Sequence, residues 1–360
     1  MADDSHHPAH LSPSELGTKD YWETFYARTL SHLSTKHNPS TTTTAPKPTK
    51  DNQASDSENE SDADTETDDI DDDSDPGTSW FSEHNAPDKV LQFLTDDEFP
   101  LSPANTTIPS GEVQQQPSIL DLGTGNGSML ALLRKRGGFR GDMVGVDYSI
   151  RSVELARELQ RLRIHSAYLS DSDDESDSGS EGEEGGEGEK EGGGKDKDTN
   201  IRFEEWDILH HDETENENKK EKKERLDWFP YDKGGFDIVL DKGTFDAVSL
   251  SDEVVVEGDR EGEDTAASGR KIQRRVCERY PGIVRGLVRK GGFVVVTSCN
   301  WTEEELVNWF TSTSTGTDEG AGDRLVVWGR VEYPRFRFGG REGQGVCTVC
   351  FQRVEGEKEA

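Results

Sequence analysis

Basic residues are scarce in this chain: its 360 residues hold 41 Lys and Arg against 75 Asp and Glu, for a formal net charge of −34. A surface of that sign repels a phosphate backbone, which nucleic-acid enzymes draw in with lysine and arginine. A nucleic-acid substrate is therefore disfavoured, and a basic protein is the easier partner. Apolar residues are also few, at 30%, and no run approaches the roughly 18 consecutive apolar residues of a membrane span. The opening MADDSHHPAH lacks the basic start and apolar stretch of a secretion signal. No export and no membrane anchoring are expected, which points to the cytoplasm. The four cysteines, Cys277, Cys299, Cys347 and Cys350, are too scattered for a disulfide framework. Cys347 and Cys350 lie three apart in GVCTVCFQRV, which reads as a strand, where such positions point to opposite faces. They are expected to be buried thiols, and no metal centre is expected.

The acids are unevenly spread. Residues 51–78 hold thirteen acids and no Lys or Arg, and residues 169–198 hold thirteen acids and three lysines. Runs of Asp, Glu, Ser and Gly without aromatics cannot bury enough surface to offset chain entropy, so they are expected to be disordered. Without them and the Ser/Thr/Pro stretch before residue 51, a single domain of ordinary size remains, expected to be a monomer. The division is an N-terminal segment with an aromatic helix (1–33), a disordered insertion (34–78), and a domain over 79–360 interrupted at about 169–198 and 211–225.

Within Leu16–Leu33, Tyr21/Phe25 and Trp22/Tyr26 are each four apart, which makes one helix face aromatic. A second helical segment is expected around Val90–Leu94. Strands and helices then alternate: Ser118–Leu122, Met143–Val146, Ile201–Trp206, Phe236–Leu240 and Gly292–Thr297 read as strands, with a helix near Ile272–Val288. Such alternation implies an α/β fold with a parallel sheet and a ligand site beyond the strands' carboxyl ends. The first four strands each end at an acid, Asp121, Asp147, Asp207 and Asp241, so these cluster where that site belongs. Two later strands, near Arg330–Phe338 and Gly345–Val354, are expected to pair as a hairpin.

The phrase Asp121-Leu-Gly123-Thr-Gly125-Asn-Gly127 follows a strand and precedes a helix. Its glycines permit a tight turn and close approach of a ligand to the backbone. The third glycine arrives one residue early for a dinucleotide fingerprint, and the preceding acid would repel a pyrophosphate. That acid suits the cationic amino-acid end of S-adenosylmethionine. Asp147 stands where an acid commonly meets ribose hydroxyls; Asp207 can take an adenine amino group or simply cap a turn. In Asp241-Lys-Gly-Thr-Phe245-Asp-Ala, a carboxylate could orient an amine and an aromatic face could favour the cation building on nitrogen during methyl transfer, so Asp241 and Phe245 are the catalytic candidates.

DLGTGNG, VGVDYS and the acid after the fourth strand resemble the seven-strand S-adenosylmethionine-dependent methyltransferases. LGTKDYW (16–22), DKGTFDAVSL (241–250), SCNWTEEEL (298–306) and FRFGGREGQG (336–345) resemble, more narrowly, the lysine methyltransferases of translation elongation factor 1-alpha. The resemblance implies a Rossmann-like sheet of order 3-2-1-4-5-7-6 with strand 7 antiparallel. It implies cofactor contacts by Asp121, Gly123, Gly125, Asp147, Asp207 and Asp241, and closure of Tyr21 and Trp22 over the cofactor. It also puts Asp241 and Phe245 near the acceptor. A methyltransferase with a small-molecule or other protein acceptor, or a cofactor-binding scaffold, is the alternative. A nucleic-acid enzyme is disfavoured because DKGT stands where an N/D-P-P-Y tetrad would be.

Overall fold

The computed structural model describes residues 7–37, 76–77, 81, 83–106, 116–169, 201–210, 225–257, 272–312, 322–338 and 341–356. The insertion expected at 169–198 lies outside these residues except for Leu169, as does that at 211–225 except for Arg225. Of the insertion expected at 34–78, only 34–37 and 76–77 are described.

Seven strands form the central sheet: β1 (Ile119–Leu122), β2 (Met143–Asp147), β3 (Arg202–Glu205), β4 (Phe236–Lys242), β5 (Val288–Ser298), β6 (Asp323–Val331) and β7 (Cys347–Glu355). Their order is 3-2-1-4-5-7-6. β1 to β5 run parallel, and β7 is antiparallel to both β5 and β6, as the resemblance implied. β1 and β2 are buried at every position, as strands covered by helices on both faces must be.

The helices divide between the faces. On one, α1 (Lys19–His37), α2 (Ala86–Thr95), α3 (Ser128–Lys135) and α4 (Ile150–Leu162) bury Trp22, Leu94, Leu130 and Leu155 against Ile119, Ile238 and Leu240. On the other, α5 (Thr244–Ser249), α6 (Tyr280–Leu287) and α7 (Glu303–Thr311) bury Phe245, Tyr280 and Leu306 against Leu120, Val239 and Val294. Cys350 packs in the first layer and Cys347 in the second, both as free thiols, the alternation expected of a strand. Among the described residues no helix is long and apolar enough to cross a membrane.

Three boundaries differ from the sequence reading. The aromatic helix continues to His37. Ile272–Arg275 is not helical but pairs antiparallel with the β-branched run Val254–Glu257; the helix waits until Tyr280, where Pro281 in its first turn suits a helix start. The single C-terminal hairpin is two nested pairs: β6 with β7, and inside them Arg335–Phe338 with Arg341–Gln344. Pro334 lies between β6 and the inner ribbon and has no N–H to give a ladder, so one continuous strand cannot run through it.

Candidate functional site

The sheet order reverses between β1 and β4, and a crevice opens there at the carboxyl ends of the strands. It holds a cavity of about 570 Å³, within the range of small-molecule sites. Four strand tips contribute to it, through the loop after β1, Val146–Tyr148, Trp206–His210 and Lys242–Thr244. The N-terminal segment roofs it with Gly17–Lys19, Trp22 and Tyr26, and Ser251–Glu253 form part of the rim.

The glycine loop owes its path to left-handed backbone. Gly123 and Gly125 both have φ of 57°, a region that side chains disfavour. A Cβ on Gly123 would come within 2.3 Å of the Thr244 hydroxyl oxygen, and that hydroxyl donates to the Leu122 carbonyl at 2.6 Å. The loop is tied down by Thr124, whose N–H donates to the Val146 carbonyl and whose hydroxyl donates to Asp121 at 2.7 Å.

The strand-end acids differ in what they have left to offer. Asp147 lines the cavity, and its carboxylate accepts from the Gly125 N–H (3.1 Å), the Ser149 N–H (2.9 Å) and the Ser152 hydroxyl (2.7 Å). A carboxylate has about four acceptor positions, so one remains for a ligand hydroxyl. Burial pushes its pKa up although those three donors favour the charged form. Asp207 also lines the cavity; it accepts from the Leu209 and His210 N–H groups and sits 3.0 Å from the His210 ring, whose other nitrogen is 2.7 Å from Glu253. The turn-capping and ligand-facing readings of Asp207 are thus compatible.

Asp121, Asp241 and Phe245 are placed differently from the sequence expectation. Asp121 is 3% exposed and lies behind the loop instead of on the cavity wall; burial raises its pKa to about 6. Asp241 is 1% exposed. It accepts from the N–H groups of Thr244 and Phe245 and from the Tyr280 hydroxyl at 2.7 Å, and burial raises its pKa to about 7. Phe245 packs among Tyr280, Trp301, Trp309 and Phe310. Neither residue lines the cavity; both lie beneath the Lys242–Thr244 turn, not at the wall where the sequence had placed their contacts with cofactor and acceptor. The reason is strand alternation: Asp241 shares the Val239 face, which α5 and α6 close.

Lys242, one position on, faces the other way and lines the cavity. Burial lowers its pKa while Asp121 and Asp241 raise it, and its Nζ lies 5.4 Å from the centre of the Phe81 ring. The motif had pointed at its neighbours; period-two alternation was the available signal. Trp22 lines the cavity, its indole N–H donating to the Leu16 carbonyl at 2.8 Å. Tyr26, known from the sequence only as part of an aromatic stripe, stands beside Gly125, its hydroxyl oxygen 2.9 Å from where a Cβ would be. Tyr21 packs at the edge of the first core layer.

These residues fit S-adenosylmethionine. A Cβ-free loop, an acid with one unused acceptor position, a second acid on the next strand and a half-buried lysine match a nucleoside bearing an amino-acid end.

A methyltransferase domain model matches residues 114–169. Protein-lysine N-methyltransferase EFM4 of Saccharomyces cerevisiae is 30% identical over 345 residues, covering 95% of this chain and 96% of the yeast protein. EEF1A lysine methyltransferase 2 of Homo sapiens is 24% identical over 342 residues, covering 95% and 88%. The solved N-methyltransferase NodS from Bradyrhizobium japonicum WM9, in complex with S-adenosyl-L-homocysteine, aligns at a TM-score of 0.34 and 12% identity over 76% of this chain and 88% of that one. With the yeast relative matched almost from end to end, the chain belongs to the protein-lysine N-methyltransferase family of EFM4, and its cofactor is S-adenosylmethionine.

Proposed function

We propose that the protein methylates a lysine of translation elongation factor 1-alpha, in the cytoplasm. The observation that carries this reading is the strand-tip cavity, built by a chain whose near-full-length relatives include enzymes named for EEF1A lysine methylation. When bound, S-adenosylmethionine supplies an electrophilic methyl group with a neutral thioether as leaving group.

The chain's own residues do the rest. The fourth acceptor position of Asp147 suits a ribose hydroxyl, Asp207 an adenine amino group, and the Lys242 ammonium the cofactor carboxylate. Trp22 and Tyr26 keep water from the roof, which strengthens the electrostatics beneath. A lysine amine must be neutral to attack, and its free pKa is near 10.4. Asp252 and Glu253 on the rim attract the incoming ammonium and offer a carboxylate to take its proton, while desolvation in the cleft lowers its pKa. The overall charge of −34 favours encounter with a basic partner.

The test is incubation of purified protein with isotope-labelled S-adenosylmethionine and either purified elongation factor or whole extract, followed by mass spectrometry. Label on one lysine of the factor is expected. Label on RNA or a metabolite instead, or none despite cofactor binding, would overturn the assignment.

A further inference from the structure

Away from the cavity, His7, His10 and Glu278 bring three ligand atoms within 4.8 Å of one another. His10 Nε2 is 3.3 Å from one Glu278 oxygen and His7 Nε2 is 3.8 Å from the other. Ligands on a tetrahedral zinc ion, at about 2.0–2.1 Å from the metal, stand roughly 3.3 Å apart, so small side-chain rotations would complete the set. The side chains of His7 and Glu278 are partly buried, at 21% and 15% exposure, while His10 is an exposed residue whose side chain keeps 29%.

The proton on His7 is informative. Its Nδ1 lies 2.8 Å from the Pro8 carbonyl oxygen, which can only accept, so Nδ1 carries the hydrogen. Nε2 is therefore the His7 nitrogen placed to ligate a metal, and it faces the Glu278 carboxylate. Metal-ligating histidines commonly donate their other ring N–H to a carbonyl in this way. The ring of His7 is held by stacking on Trp309, 4.7 Å away at 11°, and Glu278 by the Arg275 N–H at 3.0 Å. The Arg275 guanidinium opposes a metal charge, but it is directed to the carbonyls of Leu11, Ser249 and Ser251.

We propose that His7, His10 and Glu278 form a site for a divalent transition metal of the zinc type, with a fourth position for water. The ion would fasten the N-terminal strap to the turn before α6. That strap continues through Ser14, whose N–H donates to the Leu250 carbonyl, to Gly17–Lys19 on the cavity roof, so the metal holds the outer end of the segment that covers the cofactor. No local pattern marks this cluster, because Glu278 is remote from the two histidines until the chain folds.

The test uses the full chain without an affinity tag, stripped of metal and titrated with Zn²⁺ by calorimetry; Co²⁺ then reports ligand geometry through its visible absorption. One equivalent is expected. His10→Ala and Glu278→Gln should each weaken binding by about a hundredfold or more, since loss of even an outer-shell partner costs 10–100-fold. Because Glu278 also caps a turn, its variant is read beside His7→Ala and His10→Ala, with metal-free melting curves as the fold control. Hydrogen exchange at residues 7–18 should slow on Zn²⁺ addition in the parent chain and not in His10→Ala. No binding, or equal affinity in parent and variants, overturns the site; unchanged exchange overturns the fastening role.

Discussion

The two faces of the sheet meet the same problem, a cluster of carboxylates near the strand tips, and resolve it differently. On the face of α5–α7, Asp241 is enclosed by donors from Thr244, Phe245 and Tyr280. There too, Asp246 is held by the Ser298 hydroxyl and the Cys299 N–H. On the other side, Asp147 and Asp207 keep contact with the cavity, with Lys242 beside them. A carboxylate whose acceptor positions are filled by protein holds a turn in place, while one with capacity to spare can hold a ligand. Proximity to the site does not distinguish them.

The sharpest challenge to this contrast is Asp241→Ala. It leaves the Tyr280 hydroxyl and two buried N–H groups unpaired, so a loss of about 3 kcal/mol in urea-unfolding stability is expected. If Asp241→Asn kept full stability yet lost turnover, Asp241 would belong with the ligand-facing acids. Asp147→Ala should weaken S-adenosylmethionine binding by about 2 kcal/mol, roughly thirtyfold, in calorimetry; unchanged affinity would remove Asp147 from the cofactor site.

A smaller effect lies in pH. Asp121 at about 6 and Asp241 at about 7 both stand above the roughly 4 of a free carboxyl. Between those values the folded chain binds more protons than the unfolded one, so these groups make stability fall as pH rises from about 4 to about 7. Asp121→Asn should flatten its part of the slope, by the order of 1 kcal/mol across that window, in urea midpoints measured at each pH; an unaltered slope would mean that Asp121 is not desolvated as described. Smallest of all, Phe245→Leu should cost about 1 kcal/mol of stability with cofactor affinity unchanged. A large change in that affinity would reopen its role at the site.

Much of this arrangement was legible in the residues. Periodicity located the five parallel strands and the aromatic helix, because apolar spacing follows directly from which face is buried. The spacing of Gly123 and Gly125 after an acid announced a nucleoside loop, since glycine adopts that backbone without the steric cost a side chain brings. Orientation was harder to read. Asp241 drew attention by its position at a strand end, whereas the side chain that reaches the cavity is its neighbour Lys242, and one residue of register separates a turn-holding group from a ligand-facing one.

The linear order of residues thus determined the strands, the glycine loop and the acids at the strand tips, because these depend on local geometry and side-chain chemistry. Tertiary structure alone decided which acids stay open, that Trp22 and Tyr26 roof the cavity, and that His7 and His10 meet Glu278. Those outcomes depend on contacts between segments far apart in the chain, and local patterns carry no record of which distant group will fill an acceptor position.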